Sequence, residues 1–268
     1  MLQKNFNNIP LYFFKNLLQY KQIVHFVTSR QGGTSQGLYS SFNLGFGVDD
    51  NPDSVSYNRK LLASSLELSL DQFVFPNQTH SDNIAIIRRK DCGRGVLNKH
   101  DAIENTDALM TNQKGIYLTI QIADCLPILI YDPLKQVICA IHAGWRGTLS
   151  QIVLKSVEKM KQEFDCAPFD IIAGIGPSIG PCCYEIGNEV AKQFEKQIPA
   201  ESVVQYRKDK NPVLDLWQTN KNLLIKAGLN PEHIEISFTC TSCNHNKFYS
   251  SRYYKGNTGR FAAGIMIQ

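Results

Sequence analysis

Three segments of the 268-residue chain place reactive side chains beside turn-forming residues at the ends of apolar runs. They are Asn77-Gln-Thr-His80-Ser-Asp82, Ala123-Asp124-Cys125-Leu-Pro127 and Ile141-His142-Ala-Gly144-Trp-Arg146-Gly147. A ligand at a strand end beside a turn is held rigidly yet stays accessible, as a site requires. His80, Cys125 and His142 offer an N, S, N donor set suited to zinc. Three protein ligands leave the fourth tetrahedral position open, the pattern of a catalytic rather than a structural ion. They are expected to converge at about 2.0–2.3 Å from a shared ion. The trio reads equally as a Cys/His nucleophilic pair with a further base. A lone buried histidine or cysteine more often fills a core. All three, however, lie in polar or glycine-rich corners, whereas His25 sits inside the apolar run Ile23–Thr28.

Arg30 and Arg146 flank glycines, which let an anion approach the backbone closely. Arg146 precedes a helix expected to start near Thr148. A cation is disfavoured at that positive end unless an anion joins it, which favours a phosphate contact over simple packing. From Ile236 to Gln268 there is no Asp or Glu, while Lys247, Arg252, Lys255 and Arg260 are present. That stretch reads as a solvated basic face or as a phosphate pocket. Phe42, Asn43 and Phe46 either line a base pocket or are core aromatics with a turn asparagine.

Eight cysteines without an export signal are expected to stay reduced, with no disulfide needed for folding. Cys240-x-x-Cys243 and the adjacent Cys182-Cys183 compete with the trio for a metal. A Cys₄ structural zinc would need a second C-x-x-C, which is absent, and a thioredoxin-like pair would open a helix. Local packing, outside the catalytic metal site, is the expectation for Cys240 and Cys243.

The elements that must position these residues follow from patterning. Asn51-Pro52-Asp53 is a helix start, and Val55, Arg59, Leu62 and Leu66 follow at helical spacing. Leu126–Tyr131 and Gln136–Ile141 predict a hairpin turned by Asp132-Pro133. Leu149, Ile152, Val153, Val157, Met160 and Phe164 form one stripe of a single helix from Thr148. Helices are also expected around Ile186–Phe194 and over Trp217–Ala227, the latter ended by Gly228. Short strands are expected at 23–28, 73–75, 84–87, 116–122, 171–175, 233–238 and 261–267. Irregular mixing of strands and helices predicts an α+β fold, a layered mixed sheet. Residues 1–20 read as a loose lead-in and 21–268 as one domain. The chain is 43% hydrophobic with net charge +4, so a core can form and nothing argues for nucleic-acid binding. No apolar run is long enough to span a bilayer and no signal peptide is read, so a cytoplasmic location is expected.

Taken together, TSRQGGTSQGLYSSFNLG, NQTHSDN, ADCLPILIYDP, AIHAGWRGTLSQIV, GIGPSIGPCCYEIG and TGRFAAGI resemble the YfiH-type, laccase-domain family. The resemblance runs from about Thr28 to Ile265. It implies an α+β sheet sandwich with flanking helices, related to a cysteine-hydrolase toxin domain. It implies that His80, Cys125 and His142 are the metal-binding and catalytic trio. It also implies phosphorolysis of adenosine, inosine and methylthioadenosine, with an adenosine deaminase activity. No motif marks the general acid or base, and Asp124 is a candidate only as the neighbour of Cys125. The family's older name says copper oxidase. A multicopper oxidase needs roughly ten histidines, many in His-x-His pairs, as that family's pattern implies. Here there are six, with no such pair. One copper at the trio is conceivable in vitro, but not a trinuclear cluster.

The expected reaction is therefore purine nucleoside phosphorolysis, with purine nucleosides and phosphate as partners and Arg30, Asn43 or Arg146 as substrate contacts. Zinc-dependent deamination is the expected side activity. A Cys125/His142 amide hydrolase editing peptidoglycan precursors and a non-enzymatic, zinc-stabilised adaptor are the alternatives. A fourth protein ligand at the trio would favour the adaptor.

Overall fold

The computed structural model describes residues 1–268. The chain opens with β1 (Leu2–Phe6) and β2 (Ile9–Phe13), then β3 (Ile23–Thr28) and helix α1 (Pro52–Ser65). β4 (Phe73–Val74), β5 (Ile84–Ile86), β6 (Ala108–Thr111), β7 (Tyr117–Ile122), β8 (Leu126–Asp132) and β9 (Val137–Ala143) follow. Next come α2 (Trp145–Leu149), α3 (Ile152–Phe164), β10 (Ile172–Ile175), α4 (Asn188–Gln197), β11 (Val204–Arg207) and β12 (Lys210–Leu214). α5 (Leu216–Lys226), β13 (Ile234–Ile236) and β14 (Phe261–Ile267) complete the fold.

Two six-stranded mixed sheets stack face to face, in orders β1-β2-β3-β14-β7-β4 and β13-β10-β8-β9-β6-β5, and β11-β12 form a separate ribbon. The period of two along each strand explains the layers. Leu129, Tyr131, Ile138 and Ala140 face Leu118, Ile120, Ala263 and Ile265 of the other sheet. Ile128, Ile130, Cys139 and Ile141 point the opposite way, onto Val153, Val157 and Met160 of α3 and Leu223 of α5. Leu62 and Ala63 of α1 cover the outer face of the first sheet over Phe26 and Tyr117. Both faces of β8 and β9 are thus covered, which is why their sequences read as continuous apolar runs rather than alternations. No helix is long and apolar enough to cross a membrane.

The predicted hairpin is β8–β9, with Asp132 Oδ1 accepting from the amides of Leu134 and Lys135 in the turn. Asn51 caps α1 by accepting from the Asp53 amide, and Gly228 follows α5 at φ +101°.

Residues 1–20 are not a loose lead-in. They form β1 and β2, joined at Asn7-Asn8 with φ +48° and +68°, the signature of a two-residue hairpin turn. Leu11, Phe14 and Leu17 are fully buried. Phe14 packs so closely on Gly174 of the second sheet that a Cβ there would lie 2.5 Å from its ring. Burying such a ring contributes about 2–3 kcal/mol, which holds the segment without length or periodicity.

The single helix predicted from Thr148 is two. Gln151, at φ +59°, breaks the axis between α2 and α3. The apolar stripe Leu149, Ile152, Val153, Val157 and Met160 stays buried across the break, so periodicity alone could not reveal it.

Candidate active site

Register brings the trio together. Leu126 pairs with Ala143 across the β8–β9 hairpin, so Cys125 comes opposite Gly144, two residues beyond His142. Asp107 precedes β6, and the Ala108–Ile141 pairing sets it beside His142, whose amide donates to the Asp107 carbonyl at 2.8 Å. His80 arrives on the loop between β4 and β5. Its φ is +61°, and that of Asp124 is +85°. Such left-handed corners turn the chain sharply and are tolerated where surrounding contacts fix them.

The donor atoms of His80, Cys125 and His142 lie within 4.8 Å of one another, and no fourth His, Cys, Asp or Glu joins them. The imidazoles meet edge to face, with centroids 5.0 Å apart. Gly144 lends them its missing side chain: a Cβ there would lie 2.9 Å from Cys125 Sγ and 3.2 Å from His80 Cδ2. The set fits a zinc-sized ion with an open coordination position.

Asp107 is the residue that sequence reasoning missed. Its fully buried carboxylate accepts from the amides of Thr79, His80 and Ser81 at 3.2, 3.1 and 2.7 Å, and from the Ser81 hydroxyl at 2.7 Å. Its Oδ1 also lies 2.8 Å from His142 Nδ1. One carboxylate thus positions the His80 loop and orients the His142 ring, as the outer partners of metal-bound histidines do.

Charges follow from this geometry. Burial would raise Asp107, but the hydrogen bond and charge of His142 and the Ser81 donors bring it down to about 2. Burial would also raise Cys125, yet His142 and then His80 outweigh it and hold the thiol below its ordinary value. Burial pushes His142 down, while Cys125 and Asp107 pull it up further. Both shifts favour a thiolate beside an imidazolium when no metal is bound. A bound metal would be held by deprotonated Cys125 and by the His142 nitrogen that Asp107 leaves free, with the Nδ1 proton kept on Asp107.

The trio lines a cleft of about 660 Å³, within the ordinary range for small-molecule sites. Phe46, Arg252, Lys255 and Arg260 also line it. Asn43 binds the Arg260 amide at 2.8 Å through Oδ1, and Gly45 leaves the space through which the Arg260 side chain passes.

The three expected substrate contacts, Arg30, Asn43 and Arg146, are not among the residues that line the cleft. Arg30 spends its guanidinium on the carbonyls of Ser40 and His245 and on the Tyr254 hydroxyl, at 2.8–2.9 Å, and stacks on Tyr249. Arg146 is exposed and packs over the Trp145 ring, 4.4 Å from its centroid, outside the residues that line the cleft. Asn43 is fully buried, its amide bound to Asp50 and Gly45. Cation–π packing on Trp145 accommodates Arg146 at the start of α2. Phe42 is core, leaving Phe46 as the aromatic of that segment in the cleft. Both Asp124 oxygens are occupied at 2.6 Å, by the Thr241 hydroxyl and the Arg252 amide. Asp124 therefore braces the cleft wall, with each oxygen held by one donor. The cationic wall comes from the acid-free C-terminal stretch, whose basic residues were legible but not their convergence.

Residues 24–268 match the family described as multi-copper polyphenol oxidoreductase laccase. A purine nucleoside phosphorylase of Bacteroides thetaiotaomicron is 36% identical over 95% of each chain. A protein named adenosine deaminase RL5, from an unidentified prokaryote, is 35% identical over 90% of this chain and 92% of its own. The crystal structure of YlmD from Geobacillus stearothermophilus superposes with a TM-score of 0.93 at 33% identity, covering 99% of this chain and 98% of that one. By sequence and by fold, the chain belongs to this laccase-domain family.

Proposed function

We propose that the chain is a cytoplasmic purine nucleoside phosphorylase acting on adenosine, inosine and methylthioadenosine, with a zinc-dependent adenosine deaminase side activity. One observation carries this reading: an open N, S, N donor set and four cationic side chains, Lys99, Arg252, Lys255 and Arg260, share one cleft. The relatives' names supply the substrate class. The His80–Cys125–His142 donor set has room for one ion, not for the several-copper cluster that the family's description names.

Zinc held by His80, Cys125 and His142 would supply a Lewis acid for polarising substrate and activating water. Lys255 and Arg260 bind and orient the phosphate, while Arg252, whose guanidinium holds the carbonyls of Cys183 and Glu185, adds positive charge to the wall. A phosphate oxygen forms a bond to ribose C1′ while the C1′–N9 bond breaks. The bonding pair leaves with the purine, which takes up a proton, giving free base and ribose 1-phosphate. Asp107 keeps the His142 proton on Nδ1, and Phe46 offers a ring face to the base.

The test is to incubate zinc-loaded protein with inosine or adenosine, with and without phosphate, and to resolve the products. Base and ribose 1-phosphate are expected only with phosphate, and inosine from adenosine without it. Losing one charge-assisted contact of about 1.5–3 kcal/mol should raise the phosphate KM on the order of tenfold or more in Arg260→Met. Zinc content and deamination should persist in that variant, and Arg30→Met should leave the phosphate KM unchanged. Failure of the zinc-loaded protein to release base with phosphate would overturn the reading.

The Cys125–His142–Asp107 alignment also supports a second reading, amide hydrolysis by a Cys125 thiolate. Cleavage of peptidoglycan-precursor amides that survives metal chelation would favour it.

A further inference from the structure

We infer that Cys182, Cys183, Cys240 and Cys243 form a second metal site, a tetrathiolate that takes zinc and ties two loops together behind the cleft wall. Cys182 and Cys183 lie between β10 and α4, and Cys240 and Cys243 between β13 and β14. The four sulfurs lie within 4.8 Å of one another and share no residue with the trio. Cys243 Sγ is 3.6 Å from Cys182 Sγ and 3.4 Å from Cys183 Sγ. The sulfur–sulfur edge of a zinc tetrathiolate is about 3.8 Å, from Zn–S bonds of about 2.3 Å. A disulfide would bring two sulfurs to about 2.05 Å. The spacing is that of ligands around an ion, and all eight thiols of the chain are free.

This proposal departs from the sequence expectation of local packing for a geometric reason. That expectation demanded a second C-x-x-C, but the adjacent pair Cys182-Cys183 on a tight turn delivers two sulfurs to the same point. Backbone pairing holds the turn against the C-x-x-C loop: Ser178 donates to Thr239 at 3.2 Å and Thr241 to Ser178 at 3.0 Å. The Gly180 amide donates to the buried Cys240 sulfur at 3.3 Å, as amides do for metal-bound thiolates. Cys182 and Cys243 are exposed, which leaves an entry path. Four soft ligands select zinc over hard cations, and a filled tetrahedron leaves no open position, so the ion is structural. Binding sends the thiol protons to solvent and leaves a net charge of about −2 on the centre. The guanidiniums of Arg252 and Arg207 on the carbonyls of Cys183 and Pro181 lie on the side needed to offset it.

The site meets the cleft through two bonds. Thr241, inside the C-x-x-C, donates to one Asp124 oxygen. Arg252, which holds the Cys183 carbonyl at 3.1 Å, donates its amide to the other. A metal at the four thiols would therefore fix Asp124 and Arg252 relative to Cys125.

The test counts metal in reduced, zinc-saturated protein. Wild type should carry about two zinc ions per chain, and Cys125→Ser about one. The Cys182→Ser/Cys243→Ser variant should lose one ion and keep that of the trio. Cobalt-loaded Cys125→Ser should show the intense thiolate-to-cobalt charge transfer of a four-sulfur centre, with four fewer thiols open to Ellman's reagent than in the same variant unfolded and metal-free. That protein leaves these four cysteines intact, so it decides the question even if the double variant does not fold. Wild-type zinc content in the double variant would overturn the site. So would cobalt-free Cys125→Ser after metal saturation, or a disulfide among the four thiols that excludes metal.

Discussion

Asp107 makes six side-chain hydrogen bonds, counting that of the Thr79 hydroxyl, and touches both imidazole-bearing segments, so its loss should be felt at the metal before the chemistry. Asp107→Asn keeps the shape but offers only one acceptor oxygen and removes the negative charge facing His142. We expect zinc affinity, measured by competition with a chromophoric chelator, to fall about 10- to 100-fold. Unchanged affinity would show that the carboxylate is not a support of the ligand set. Asp107 was illegible because an acid before an apolar strand is usually solvated. Only the β6–β9 register turns it inward. The trio was legible because each member sits at a visible punctuation mark: Thr79-His80-Ser81, Asp124-Cys125 before Pro127, and His142 before Gly144. Adjacent glycines say that an anion could approach, not that the guanidinium is free, as at Arg30, or that it faces the cleft, as at Arg146.

At the scale of elements, the site is built at the junction of β9 and α2. Gly144 has φ −78°, which any residue can adopt, so its role is purely spatial. A Cβ at 2.9 Å from Cys125 Sγ must displace the sulfur or the His80 loop. Gly144→Ala should therefore lower zinc content and activity severalfold or more, while the far-ultraviolet circular dichroism and the urea midpoint stay near wild type. Full zinc occupancy in that variant would mean that the three donors do not converge where the geometry places them. The break at Gln151 belongs to the same junction: α2 stays short against the site while α3 runs along the sheet. The hairpin β8–β9 and the caps of α1 and α5 were readable because turn and cap residues act locally. The N-terminal hairpin was missed despite its Asn7-Asn8 turn. Its β1 strand is polar and exposed, and its partners, Gly174 and Glu235, lie far away in sequence.

The whole molecule depends on how that N-terminal segment joins the sheets, and His25 is its buried hinge point. His25 lies on β3, with its ring stacked on Phe14, edge-on to Phe13, and accepting the Phe14 amide at Nε2, 2.9 Å away. Phe14 in turn presses on Gly174 of the opposite sheet. A proton on His25 would remove that acceptor and place a charge between two phenyl rings and the core. Burial accordingly pushes His25 down to about 3, against about 6.5 in an unfolded chain. Between those values the unfolded state binds the extra proton, so stability rises with pH. The contribution is fully present above about pH 6.5 and is lost progressively as the pH falls toward 3. From pH 7.5 to pH 5.0 the loss amounts to about 2 kcal/mol. Other titrating groups act alike in wild type and in His25→Gln, whose amide oxygen can still accept from Phe14 but takes up no proton. Urea unfolding of both proteins at the two pH values isolates the term. The variant should be the less stable at pH 7.5, because the stacked ring is gone, yet should lose about 2 kcal/mol less on acidification. Equal losses in the two proteins would show that His25 is protonated as readily in the fold as outside it, and that the N-terminal hairpin is held by its phenylalanines alone.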